Sequence, residues 1–127
     1  MSPKFAVDRC LAKRVPMQLA ALGWNIVSIY DVFPHDAEEI PDDEWIRWAD
    51  DHVDGALTKD GKIRTSSSLL VATIPIFGLS RQDLRYAEMI TLFDLNRARI
   101  ERIAGSSPGR QFWTIYRSGD LRRTDIN

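Results

Sequence analysis

The sequence predicts an α/β fold with a central parallel sheet, and three observations carry that expectation. Short β-branched or apolar runs alternate with stretches whose apolar residues recur at helical spacing. Two of the runs, Phe5-Ala6-Val7 and Gly55-Ala56-Leu57-Thr58, are followed closely by an aspartate, Asp8 and Asp60. The connections between runs are short enough for αβ loops. Alternation of this kind implies parallel strands joined by right-handed crossovers, with a ligand crevice at the strands' carboxyl ends.

Taken in order, Phe5-Ala6-Val7 reads as a strand, and Leu11, Val15, Leu19 and Leu22 as the stripe of a helix that Gly23 stops. Asn25 to Tyr30 is β-branched and aromatic, a second strand. Asp31 to Ile40, with Pro34 and Pro41 at its corners, reads as a loop. Asp42 or Asp43 is expected to cap a helix that buries Trp45, Ile46, Trp48 and Ala49. Gly55 to Thr58 is a third strand, ending at Lys59-Asp60 and a Gly61 turn, and a short helical piece is expected from Ile63 to Ala72. Thr73 to Phe77 is a strand in which Pro75 requires an edge or an early position. Ser80 is expected to cap one long helix from Arg81 to about Ala104, apolar on more than one face. After Gly105-Ser106-Ser107-Pro108-Gly109, the runs Phe112–Tyr116 and Leu121–Ile126 flank a hairpin turn at Arg117 to Asp120.

The chain of 127 residues fits one domain, with residues 1–104 as an α/β core and 105–127 as a linker and basic β-hairpin tail. Hydrophobic residues at 44% and charged residues at 28% exclude the composition of a disordered chain. The single Cys10 cannot form an internal disulfide, and the start lacks the apolar core of a secretory signal, so a cytoplasmic location is expected. No apolar run reaches the roughly 18 to 20 residues of a membrane-spanning helix, so no membrane partner is expected.

The net charge of −1 conceals opposed patches. Asp31 to Asp54 holds ten acids against Arg47 alone, whereas from Arg81 onward there are nine Arg and six acids. In the remaining stretches Asp8 and Asp60 stand alone among cations. Two such acids at equivalent strand ends, with a helix starting at the acidic Asp42-Asp43-Glu44, bring three acidic stations to one sheet edge. Clustered carboxylates repel unless a hard divalent cation neutralises them, which makes Mg²⁺ or Mn²⁺ the expected cofactor. Such an ion polarises a phosphoryl oxygen and activates water. Arg9, Lys13, Lys59 and Arg64 surround the acids where a polyanion's phosphates would lie.

These residues resemble a known family. Phe5-Ala6-Val7-Asp8-Arg9 before a helix, Asp42-Asp43-Glu44-Trp45-Ile46 followed by Ala49, and Leu57-Thr58-Lys59-Asp60 with Ile63-Arg64 stand in the order seen in PIN-like domains, with the VapC-type toxin-antitoxin branch the nearest likeness. The resemblance covers about residues 4 to 80. It implies a PIN-like three-layer sandwich and a Mg²⁺- or Mn²⁺-dependent endoribonuclease. RNA would be its substrate and a cognate antitoxin its partner; a homodimer is also open. It also implies that Asp8, Asp42 and Asp60 are catalytic and that Asp8, Asp42, Asp43 and Asp60 bind metal, with Asp42 favoured over Asp43 in the cluster. A fourth acid has no clear counterpart, only Asp83 following the fourth strand. The alternative is a catalytically inactive PIN-like module that binds RNA or protein. A phosphorylation receiver domain fits less well, because Asp8 is followed by Arg9 rather than a second acid.

The remaining residues have plainer readings. An Asp after a strand also caps a following helix. Cys10 is expected to be a small buried residue of the first helix, His35 solvent-exposed, and His52 at a helix end. Trp24, Trp45 and Trp48 belong to the core, and Trp113 to the core or to a stacking platform in the basic hairpin.

Overall fold

The computed structural model describes residues 2–59 and 72–124. The strands are β1 (Phe5–Val7), β2 (Ile26–Ser28), β3 (Gly55–Thr58), β4 (Pro75–Leu79), β5 (Gln111–Ile115) and β6 (Leu121–Thr124). Among the described residues they form one sheet in the order β2-β1-β3-β4-β5-β6, parallel throughout except for the antiparallel pair β5-β6. The helices are α1 (Arg14–Ala21), α2 (Ile29–Val32), α3 (Asp42–His52), α4 (Tyr86–Leu95) and α5 (Arg97–Gly105).

Strand alternation divides the core into two layers of contact. Phe5, Val7, Leu57, Phe77, Leu79 and Ile115 face one way, against residues of α1, α4 and α5. Ala6, Ala56, Ile76 and Phe112 face the other, against α2 and α3 with Trp45, Ile46 and Ala49. The result is the α/β three-layer sandwich expected from the sequence, with a central sheet covered on both faces. β5 pairs in parallel with all of β4, and its Phe112 and Ile115 are buried, so the hairpin completes the sheet.

Several elements differ from expectation, each for a local reason. The helix expected from Leu11 begins at Arg14, because Arg9–Leu11 forms a 3-10 turn and Ala12 takes a left-handed φ of 61°. The strand expected from Asn25 to Tyr30 shortens to Ile26–Ser28, since Ile29 opens α2 and buries itself beneath α3. The expected loop after Tyr30 carries the rest of α2 and a 3-10 turn at Pro34–Ala37. Pro41, not Asp42 or Asp43, is the N-cap of α3, and Asp42 is the first helical residue. The expected strand Thr73–Phe77 is Pro75–Leu79, and Pro75 is the first residue of a central strand whose pairing with β3 starts only at Ile76.

The long helix expected from Arg81 to Ala104 is two helices, and Ser80 caps neither. Arg81 turns back onto Asp83 at 2.7 Å in a non-helical segment, so α4 starts at Tyr86. Asn96, at φ −99° and ψ 7°, divides α4 from α5 while its amide donates to the Leu92 carbonyl at 2.9 Å and the Gly119 carbonyl at 3.2 Å. The helical piece expected between Ile63 and Ala72 lies, apart from Ala72, outside the described residues. No helix among the described residues is long and apolar enough to cross a membrane.

Candidate active site

The pairing of β1 with β3, Val7 beside Leu57, places the next residues of each strand, Asp8 and Thr58, side by side at the carboxyl edge. The Asp8 amide continues the ladder, donating to the Leu57 carbonyl at 2.9 Å. Both side chains then turn to the α3 side of the sheet. Asp8 is only 5% exposed and Thr58 fully buried. The Thr58 hydroxyl donates to Asp8 Oδ2 at 2.8 Å, and the Cys10 thiol reaches the same oxygen at 3.1 Å. The Cys10 amide donates to Oδ1 at 3.4 Å, so Asp8 also caps the 3-10 turn that follows it.

α3 begins at Asp42, and its indole partner Trp45, one turn on, donates Nε1–H to Asp42 Oδ1 at 3.0 Å. Asp8 and Asp42 line one cavity of about 150 Å³ together with Arg9, Cys10, Ala37 and Trp45. Larger clefts, about 270 Å³ between α1 and β2 and about 320 Å³ beside α4, are lined by no buried carboxylate. The chemistry therefore concentrates in the smaller cavity.

Burial pushes the Asp8 carboxyl above its usual range, and the facing charge of Asp42 adds to this against the opposing hydrogen bonds from Thr58 and Cys10. Burial and then the neighbouring Asp8 charge push the Cys10 thiol up to about 12. Among the described residues Asp8 makes no ion pair. A divalent cation is the species such a pair of carboxylates suits: Mg²⁺ is commonly held by one or two carboxylates and keeps several waters. Among the described residues no three His, Cys, Asp or Glu side chains are grouped to hold a metal ion, and the carboxylates that line the cavity are Asp8, Glu38 and Asp42.

The expected site residues fall into three groups. Asp8, Asp42 and Arg9 meet at the cavity. Asp43 is on the same helix turn but does not line the cavity, whereas Asp42, the acid favoured from the sequence, does. Lys13 is exposed and pairs with Asp36 at 2.7 Å, while Lys59 is half-buried with its amide donating to Cys10 Sγ at 3.5 Å. Asp60 and Arg64 lie outside the described residues. Asp83 is exposed and held by Arg81. Cys10 stands on the 3-10 turn rather than on the first helix, and is half-buried. His52 closes α3 and stacks on Trp48, and Trp113 is half-buried with Arg99 over its ring at 5.3 Å.

Sequence reasoning missed Thr58, Trp45 and Cys10 as partners of the acids. A Thr directly before Lys59-Asp60 at a strand end, and a Trp three residues after Asp42, were the available signals. It also missed the roof: His35, Asp36 and Ala37 run consecutively at φ 53°, 55° and 62°, and Ala37 inserts beside Trp45.

A covered parallel sheet with acids at its carboxyl edge is an α/β architecture that places a ligand site at that edge. The particular family follows from comparison: a family model described as a PIN like domain matches residues 3–75, and the chain belongs to that family. PIN domains are generally nucleases and typically use divalent metal ions. No curated protein and no solved structure matches the chain.

Proposed function

We propose that the protein is a Mg²⁺- or Mn²⁺-dependent endoribonuclease that hydrolyses RNA phosphodiesters, and the toxin of a VapC-type toxin-antitoxin pair in the cytoplasm. One observation carries the reading: Asp8 from the end of β1 and Asp42 from the start of α3 face a common cavity, with Arg9 at its rim. Asp8 and Asp42 would hold the ion, with Asp60 as the third acid. When bound, the ion polarises a phosphoryl oxygen and lowers the pKa of a water.

The chain's own groups do the rest. Thr58 and the Cys10 thiol and amide hold Asp8, and the Trp45 N–H holds one oxygen of Asp42, so the orientation of each carboxylate is fixed. Arg9 at the cavity, with Lys13 on the segment that follows it and Lys59 just after β3, attracts the phosphate backbone. The acidic stretch from Asp31 to Asp54 and the Arg-rich C-terminal half offer separate faces to an antitoxin and to RNA, and self-association remains within the same reading.

The test is cleavage of total cellular RNA by wild type, Asp8→Asn and Asp60→Asn, with Mn²⁺ and with chelator. Cleavage by wild type alone, abolished by chelator, is expected; cleavage by Asp8→Asn at the wild-type rate refutes the reading. A second reading, a binding module without cleavage, rests on the sequence offering no clear fourth acid, only Asp83 after β4. Calorimetry separates them: absence of saturable Mn²⁺ binding that depends on Asp8 favours the module.

A further inference from the structure

We infer that Tyr86, with Arg14 stacked on its ring, is a nucleobase-stacking subsite that receives an unpaired nucleotide of the RNA held at the Asp8–Asp42 cavity. This inference rests on the ribonuclease reading and adds to it a station for single-stranded substrate. Tyr86 is the first residue of α4 and Arg14 the first of α1, and the Arg14 guanidinium lies over the Tyr86 ring at 5.2 Å. α1 follows Asp8 after one 3-10 turn, and α4 follows β4, so both helices start from the carboxyl edge where the cavity opens.

The charges at this edge divide in a way that singles out this place. Lys13, Arg81, Arg117 and Arg122 are each paired with an acid, Asp36, Asp83, Glu88 and Asp120. Arg9, Arg14 and Arg85 are exposed and their side chains form no ion pair among the described residues. Arg85 precedes Tyr86 in the chain and Arg14 lies over its ring from the facing helix, while Arg9 lines the cavity. Cations left without acids complement a phosphate backbone.

Beyond its contact with Arg14, the Tyr86 ring stands partly open to solvent. Tyr86 is 43% exposed, whereas Leu84 and Met89 on either side of it are buried in the core. A planar guanidinium on an exposed aromatic ring is the arrangement on which an unpaired base stacks, either against the free ring face or against the guanidinium. An acidic protein segment would use the three arginines but not the ring, and a duplex, its bases already stacked, would also leave the ring unused.

The test is equilibrium binding of the full chain, in EDTA, to a fluorescein-labelled mixed-sequence single-stranded oligoribonucleotide and to its duplex with the complementary strand. Tyr86→Ala is expected to weaken single-strand binding by at least about fivefold, while Tyr86→Phe stays within about twofold of wild type. Neither variant should change duplex binding by more than about twofold. Arg14→Gln should lower the salt dependence of single-strand binding by about 0.7 in the log–log slope. A smaller loss with Tyr86→Ala, an equal loss on duplex, failure of Tyr86→Phe to retain binding, or no binding by wild type each overturns the inference. Because the assay contains no metal, it is independent of cleavage. Mn²⁺-dependent cleavage by wild type and Asp8→Asn, measured alongside, shows whether the ribonuclease reading fails instead.

Discussion

Replacing Asp8 by Asn reverses its sign of effect on stability according to whether a divalent ion is present. Asp8 is 5% exposed, faces Asp42 and makes no ion pair among the described residues. Its folded-state pKa is raised, by burial first. Stability from this group is therefore fully present below the unfolded-state pKa and is lost as pH rises through the folded-state value. In the metal-free protein, ionising Asp8 costs stability, because burial and the facing Asp42 oppose its charge. Asn keeps the shape and an oxygen to accept from Thr58 but cannot ionise.

Removing that charge should stabilise the metal-free fold by about 1–3 kcal/mol. With an unfolding entropy of about 2.1 cal/mol/K per residue over 127 residues, this is a rise in Tm of about 4–11 °C. Mn²⁺ at a hundred times its Kd should add about 2.7 kcal/mol to wild type and little to the variant. Scanning calorimetry in EDTA and in Mn²⁺ at pH 7 should thus show the two melting curves exchange order. An Asp8→Asn protein that melts below wild type in EDTA refutes the electrostatic reasoning, and a wild type indifferent to Mn²⁺ refutes the assignment of an ion to this carboxylate.

Trp45→Phe removes the N–H that holds Asp42 Oδ1 while keeping most of the buried ring, and should cost about 0.5–1.5 kcal/mol of stability together with weaker Mn²⁺ binding by calorimetry. In Gly78→Ala the new Cβ would stand 2.7 Å from Phe112 Cζ in a central strand, so chemical denaturation should report a loss of about 1–3 kcal/mol. Cys10, its thiol pushed up to about 12, should react with iodoacetamide at pH 8 far more slowly in the folded protein than in denaturant, and equal rates followed by mass spectrometry would contradict the Asp8–Cys10–Thr58 cluster.

Strand order of type and approximate place was legible because period-two alternation is written directly into the sequence. Phe5 and Val7 against Ala6, and Leu57 against Ala56, sort to opposite layers as their spacing requires. The convergence of Asp8 with Asp42 was legible from the strand-end rule for parallel sheets. What escaped were effects of single side chains on the backbone. Asn96 breaks a helix that apolar spacing would continue, because its amide competes for the Leu92 carbonyl. Ala12 and Ala37 adopt left-handed conformations that no propensity of alanine suggests, since tertiary contacts impose them. The hydrogen bond that orients Asp42 comes from Trp45 three residues on, which binary pattern does not encode.

The position of β1 between β2 and β3 has a consequence for the order in which the molecule is made. β1 comes before the other described strands in the chain and is an interior one, and the hydroxyl that fixes its terminal carboxylate lies fifty residues on. Pairings of such sequence separation are entropically slow to close. A nascent or half-folded chain therefore carries Asp8 on an unpaired strand with both carboxylate oxygens in water. Competence at the cavity and completion of the sheet are then one event, so unfolding kinetics set how long each molecule keeps its site.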